Sequence, residues 1–428
     1  MSTHDNLVYL NQHLDADQAR LRMLRMYYAG EQPLAFLSPG DAEKLNGRIR
    51  QLAVNVPRLM VRAVADRLAV TGFTSGADAV PSPSLWEVWR RSRMHRRGPQ
   101  AITEALISGR SYVLVWTGPS GRPVISVESP CSVLARHDPA SGEVVAAAKR
   151  WTNDEGTQAW ATVFEPDKIT RYSAKGNSFL GGSVPVSDWS VLETIDNPLG
   201  VVPVVPLVHG SRIEDVHGVS VFADLMGLTD ALTKTVTDAL VASEAYARPR
   251  RWATGLQLAT EADGAVSEMF DPDADLMLAE EREAKFGQFD ASDLAGYAAL
   301  TGVLTGQISA VSALPPHMVG GTTSTPPSAE SLQVALDGLS GRVRAAQASF
   351  GDSFGRAMAI ADTLQLGGDV EDRLIETQWA ALEARSLAAS ADAAAKLITV
   401  GVDPMAVVDK ALGWAGTAVT REGNTDGN

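Results

Sequence analysis

Apolar residues recur every three or four positions over Ala16 to Tyr28 and over Val56 to Leu68, the period of a helix buried along one face. Asn55 stands where an N-cap is needed, and Pro57 falls in the first turn, where a missing amide costs nothing. Gly72 to Ser84, rich in Gly, Ser and Pro, reads as a loop. A helical pair follows, Leu85 to Ser92 and Pro99 to Ser108, with Gly109 as the stop. From Ser111 to Val208 the pattern changes to short β-prone runs between turn residues. Strands are predicted at Tyr112 to Thr117, Val124 to Glu128, Ser132 to His137, Val144 to Trp151, Ala159 to Glu165, Lys168 to Tyr172 and Val202 to Val208. Together they predict an antiparallel meander on a helical base.

Beyond Gly218 the helical period returns over longer stretches. Val221, Leu225, Leu228, Leu232, Val236 and Leu240 share one stripe, which Pro249 ends. A second stripe uses Leu294, Tyr297, Leu300, Leu304 and Ile308, and Pro315 and Pro316 stop it. The third, Leu332 through Leu339, Val343, Phe350 and Ala357, predicts a helix of about 38 residues, ~57 Å long if unbroken. Between the first two lies a mixed segment, Arg250 to Asp290, read as a small α/β insertion. After Gly367 and Gly368 a last helical region is expected over Glu371 to Val400 and Pro404 to Leu412, followed from Gly416 by a disordered tail. The fold class is α+β, mainly helical.

At 428 residues the chain can bury several cores, and its 45% hydrophobic content is that of folded, water-soluble protein. No apolar run approaches the ~20 residues that cross a bilayer, so neither secretion nor membrane insertion is expected. Cys131 is the sole cysteine, which excludes an intrachain disulfide and a thiolate-based zinc site and fits a reducing cytoplasm. A formal charge of -14 argues against a surface that grips nucleic acid all round. The phosphate-cradling P-loop, the paired-histidine zinc motif and the nucleophile elbow are missing, so no catalytic residue, cofactor or metal is expected. His209 and His217 flank Glu214 and Asp215, a pattern that is more often structural than metal-binding.

Several stretches together resemble the portal proteins of tailed double-stranded DNA phages, especially those of actinobacterial siphophages. They are Tyr27-Tyr28-Ala29-Gly30, Asn55-Val56-Pro57-Arg58 through Asp66-Arg67-Leu68, Ala105 to Tyr112, and Asn197-Pro198-Leu199-Gly200 with Val204-Val205-Pro206. The long helix with Asp224, Asp230 and Asp238 belongs with them, as does Pro326 to Ala329 before the longest helix. The order and spacing over about 400 residues carry the resemblance, since no single segment is diagnostic.

The resemblance implies a portal fold with a wing, a two-helix stem, a small α/β clip, a long kinked helix and a short helical crown. Mapped onto this chain, residues 1–217 form the wing, 218–247 and 291–311 the stem, and 248–290 the clip. Residues 312–327 form the tunnel loop, 328–366 the long wing helix, 367–415 the crown and 416–428 the tail. It implies a ring, usually of twelve copies, at one capsid vertex of a virion assembled in the bacterial host cytoplasm. Its partners would be the duplex DNA passing through without sequence readout, the packaging terminase ATPase, the head-tail connector or adaptor, and the major capsid or scaffolding protein. The alternatives are another head structural protein, capsid or scaffold, and after these a capsid-associated hydrolase.

Three segments are candidate sites. Ser312, Pro315, Pro316, His317, Gly320, Gly321, Thr322, Thr323, Ser324 and Thr325 cannot continue a helix from either side. They read as a loop projecting into a DNA channel or as a plain interhelical linker, and the resemblance favours the channel. Residues 261–293 hold eleven acids, Asp271, Asp273 and Asp275 among them, against Arg282 and Lys285. This stretch would keep DNA mobile by repulsion if it rims a channel, and is a solvated face otherwise. Arg248, Arg250 and Arg251 beside it read as partners for those acids across a subunit contact. Finally Arg90, Arg91, Arg93, His95, Arg96 and Arg97 form the densest positive cluster, read as a solvated or intersubunit face, with nucleic-acid contact as the alternative.

Overall fold

Ser2 opens the first helix by a reciprocal cap, its hydroxyl accepting from the Asp5 amide at 3.1 Å while the Asp5 carboxylate accepts from the Ser2 amide at 2.8 Å. In this computed structural model the residues described are 2–33, 53–76, 80–176, 188–210, 212–247, 251–255, 283, 285–288, 294–320, 329–382 and 387–401. Helix α1, Thr3–Ala29, ends at Gly30 in the left-handed region. It therefore starts well before the predicted Ala16. Leu7, Leu10 and Leu14, all fully buried, carry the missing half of the stripe between polar residues that dilute it. Helix α2, Val56–Ala65, has the expected cap, with the Asn55 side chain accepting from the Arg58 amide at 3.0 Å.

The β-rich middle forms two sheets rather than one meander. Strands β3 (Arg110–Thr117), β4 (Pro123–Glu128) and β10 (Val204–Val208) make one, in the order β10-β3-β4. Strands β5 (Val133–His137), β6 (Val144–Thr152), β7 (Gln158–Phe164), β8 (Lys168–Lys175) and β9 (Ser190–Asp196) run antiparallel in sequence order in the other. The pleat of β6 sends Ala146 and Ala148 to one face and Ala147 to the other. The first face receives Leu7, Leu10 and Leu14 of α1 against Ala159, Ala161 and Val163, where alanines let the helix come close. The second packs with Phe164 and Ile169 on Tyr112 and Val204 of the three-stranded sheet. The five-stranded sheet is thus the middle layer.

Two predictions fail for a common reason. Gly72 to Ser84 is not all loop, because β1 (Val70–Ser75) pairs with β2 (Val80–Pro81). The helix expected from Glu371 is instead β13 (Ile375–Trp379), antiparallel to β1 with Phe73 opposite Thr377. Neither strand has a sequence neighbour long enough to signal it, since each is completed by a partner some 300 residues away. Helix α3 (Pro83–Arg91) packs on β1 and α7 (Ala329–Leu366), the predicted 38-residue helix, on β13, while α4 (Met94–Ser108) lies against β3 and β4. Trp89 sits at their junction, edge-on to Phe354 and Phe73 with ring centroids 5.1 Å apart in each pair. On α7, Gly355 leaves room for β13, because a Cβ there would lie 2.4 Å from the Ile375 carbonyl oxygen.

Helix α5 (Met226–Ala247) follows a short 3-10 turn, Ala223–Leu225, and leads to the strand pair β11 (Arg251–Thr254) and β12 (Lys285–Gln288). Helix α6, Ala295–Ser312, returns alongside α5. A second unit begins at Ala380, and its described helix is α8, Leu387–Thr399, with an Asp392–Lys396 pair on one face. Residues 383–386 and 402–415 of the expected crown and the whole tail from Gly416 lie outside the described residues.

Gly109 and Gly218 pack backbone on backbone, both in the left-handed region, at the start of α5's approach. A Cβ on Gly218 would lie 1.9 Å from the Gly109 carbonyl oxygen, whereas one on Gly121, at a similar φ, would meet nothing within 4 Å. Gly121→Ala is therefore expected to cost the ~1–2 kcal/mol of a left-handed alanine. Gly218→Ala adds overpacking of a further ~1–3 kcal/mol, and denaturation midpoints of the two variants measure the difference.

Candidate functional site

Helices α5 and α6 leave the layered body as a pair, α5 spanning ~33 Å. Burial falls along α5: Phe222 and Leu225 just before it and Leu232 within it are buried, while Leu240 and Val241 are exposed. On α6, Leu300 is 48% exposed, Val303 60% and Val311 39%, and Leu294 stands open at its N-terminal end. Buried threonines on α5 return their hydroxyls to the carbonyl four residues back, as Thr229 does to Leu225 at 2.8 Å and Thr237 to Thr233 at 2.7 Å. The pair leaves large aliphatic side chains without cover.

The root of the pair is held by polar contacts to α1. Tyr27 donates to Asp230 at 2.7 Å, joining two residues of the segments that carried the resemblance. Burial and that carboxylate push the phenol up to about 12, so the donor stays protonated. Arg110, 3% exposed, donates to the His217 carbonyl oxygen at 3.0 Å and to Asp17 at 2.6 Å. Asp17 also takes both forks of Arg20, at 2.6 and 3.0 Å. Burial raises the Asp17 carboxyl, but the Arg20 hydrogen bond and the charges of Arg110 and Arg20 outweigh it and hold it below its ordinary value. His209 donates through Nδ1 to the Val219 carbonyl at 2.7 Å, and burial depresses it. Burial, with the Arg110 charge, depresses His217 as well. Glu214 and Asp215 are occupied by the Arg212 side chain and amide. Among the described residues no cluster of His, Cys, Asp or Glu could hold a metal ion.

The segment read as a channel loop or interhelical linker begins as a packed one. Ser312 closes α6, Ala313 turns in the left-handed region, and Leu314 is buried, its amide donating to the Ser312 hydroxyl at 3.1 Å and its carbonyl accepting from Ser309 at 2.7 Å. Pro316–Val319 forms a 3-10 turn ending at Gly320. Arg342 of α7 donates to the Val311 carbonyl at 2.7 Å, and Gly338 brings α7 close to Ala313. Pro315 is buried, while Pro316, His317 and Gly320 are exposed. Gly321, Thr322, Thr323, Ser324 and Thr325 lie outside the described residues, as do Arg248, Arg250, Asp271, Asp273 and Asp275. Arg251 is the first residue of β11, opposite Gln288. Sequence reasoning passed over the exposed faces of α5 and α6 because helical spacing marks a stripe as apolar without saying what covers it.

A family model described as phage portal protein, SPP1 Gp6-like, matches residues 7–406. The portal protein of Mycobacterium phage L5 is 31% identical over 364 residues, 80% of this chain and 72% of that protein. That of Mycobacterium phage D29 is 30% identical over 382 residues, 85% and 76% of the two chains. Among solved structures, a chain of the neck of a native GTA particle computed with C12 symmetry aligns at TM-score 0.49 and 13% identity, covering 92% of this chain and 99% of that one.

The Asp17 cluster makes the root sensitive to acid. Its folded pKa lies below the unfolded value of about 3.9, so its contribution is complete above that pH and is lost as pH falls through the folded value. Asp17→Asn, which strands the buried Arg110, is expected to cost about 3 kcal/mol at neutral pH and to flatten the loss of stability below about pH 4, as urea midpoints across pH will record.

Proposed function

The chain belongs to the SPP1 Gp6-like phage portal proteins, and from that premise we propose how its elements build a DNA conduit. It is a portal subunit of the capsid vertex, a structural component of the virion. In the proposed assignment residues 1–217 with α7 are the wing, α5 and α6 the stem, and the β11–β12 pair the base of the clip. Residues 312–327 are the tunnel loop, and the chain after Gly367 is the crown, except that β13 joins the wing sheet.

The observation that carries the ring is the uncovered apolar surface of α5 and α6, with Leu240, Leu300 and Val303 exposed on two helices that pack side by side and Leu294 exposed at the cap of the second. A neighbour rotated about an axis parallel to the pair covers it by a heterologous contact that closes. Twelve copies is the proposed number, assembled in the host cytoplasm. Acids of the stretch 261–293 would keep passing duplex mobile, with Arg248, Arg250 and Arg251 pairing some of them between subunits. Hydrolysis of ATP is assigned to the packaging terminase docked on the ring, and the connector replaces that motor after filling.

Negative-stain images of purified protein should show rings with a central hole. Changing Leu300 and Val303 together to Asp should leave a folded monomer, each exposed position altering stability by no more than ~0.5 kcal/mol, yet abolish the rings. Images of intact rings from that variant would overturn the stem assignment. A second outcome concerns the loop: removing Gly320 to Thr325 is expected to leave rings intact while impairing packaging or retention of the genome in a complementation assay.

A further inference from the structure

The corner between α3 and α4 carries Arg90, Arg91, Arg93, His95 and Arg96 exposed, with Arg97 partly so, on a chain of net charge -14. From Ser82 to Gln100 the only carboxylate is Glu87, which pairs with Arg91. Arg90, Arg93 and Arg96 have no ion-pair partner among the described residues. The corner is rigidly mounted. Trp89 and Met94 are buried beneath it, Ser92 accepts the Ile125 amide at 3.1 Å, and a Cβ on Gly98 would sit 3.0 Å from the Trp89 ring. Its cations also stand where they cost energy, because Arg93, Arg96 and Arg97 occupy the N-terminal turn of α4, the positive end of the helix dipole.

All five charged side chains other than histidine are arginine and none is lysine, the choice for planar, forked recognition of phosphate oxygens. We propose that this corner is a surface contact for the phosphate backbone of duplex DNA, outside the channel, made without base readout and weak at physiological salt. The inference rests on the portal reading, which brings the duplex to this protein, and it fits the acidic balance: three or four phosphate contacts steer and hold a strand loosely, and screening releases it. The backbone of the corner is already fixed, so contact orders side chains alone.

The test uses assembled rings of the full chain and a closed circular duplex, which cannot thread a preformed channel, so any mobility shift reports the outer surface. At low salt, wild-type rings should retard the circle, and raising salt to the physiological range should abolish the shift. Arg90→Ala, Arg93→Ala and Arg96→Ala combined should weaken binding at least about tenfold, while the same three changes to Lys keep most of it. No shift with wild type, an equal shift with the alanine variant, or an equal loss with lysine would overturn the proposal. Disassembly of the alanine variant in negative stain would overturn it too, since the corner would then be a subunit contact with an acidic neighbour surface. Absence of rings from the wild type would instead strike the portal reading itself.

Discussion

Two backbones cross at Gly109 and Gly218 more closely than any side chain permits, and the position of the helical pair follows from that crossing. Gly109 ends α4 and begins β3, while Gly218 ends the loop after β10 and begins the approach to α5. The crossing is sewn by main-chain bonds: His209 to the Gly109 carbonyl, Val219 to that of His209, and Val221 to that of Leu106, all between 2.7 and 2.9 Å. The flanking residues repeat the link with side chains, as Arg110 reaches the His217 carbonyl and Asp17 ties both to α1. A helix, a sheet and the root of the α5–α6 pair therefore share one joint, which backbone rather than side-chain packing makes stiff.

Layering of the body rests on a different balance. Alanines on β6 and β7 let α1 lie close to the sheet but supply little directional information, since one small side chain resembles the next. Polar groups provide the register: Asn6 and Thr3 donate to the two oxygens of Glu165 at 2.6 and 2.7 Å, and the buried Arg150 donates to Asp15 at 2.6 Å. Such pairs add little net stability, because desolvation offsets their attraction, but a shifted helix would strand both charges. Helix α1 has one low-energy seat.

Legibility in the sequence followed the range of the determining contacts. Asn55 with Pro57, Gly109 after Ser108, and the turn residues between β5 and β8 act within a few positions, and each marked its element correctly. The 38-residue stripe of α7 was long enough to identify itself. By contrast β1, with Gly72 at a register shift, and β13 exist because each pairs with the other, and β9 is a largely exposed edge strand lacking an apolar alternation. For the candidate site the same rule holds more severely. Leu300 and Val303 are apolar on either reading, and their exposure became visible when α5 was found to cover other positions. The channel role given to Ser312 through Thr325 came from the resemblance and the pairing role of Arg250 from the acids beside it in sequence, since what they would touch belongs to another copy or to DNA.

Closure of the proposed ring would make the stiffness of the root consequential. A heterologous contact closes only when its rotation divides a full turn; otherwise the same sticky faces grow an open helix. In a ring of about twelve copies each contact turns about 30°, and rings of one more or one fewer copy differ by only ~2–3° per contact. The apolar faces of α5 and α6 cannot set so fine an angle, because aliphatic contacts are non-directional and tolerate small rotations. What can set it is the angle at which the pair leaves the body. Side-chain packing would allow that angle to drift through rotamer changes, whereas the crossing of Gly109 and Gly218 has no side chain to adjust. In the proposed ring, hydrophobic area on α5 and α6 would supply the tendency to associate, while a few backbone bonds at their root would decide that association ends in a closed ring of defined size.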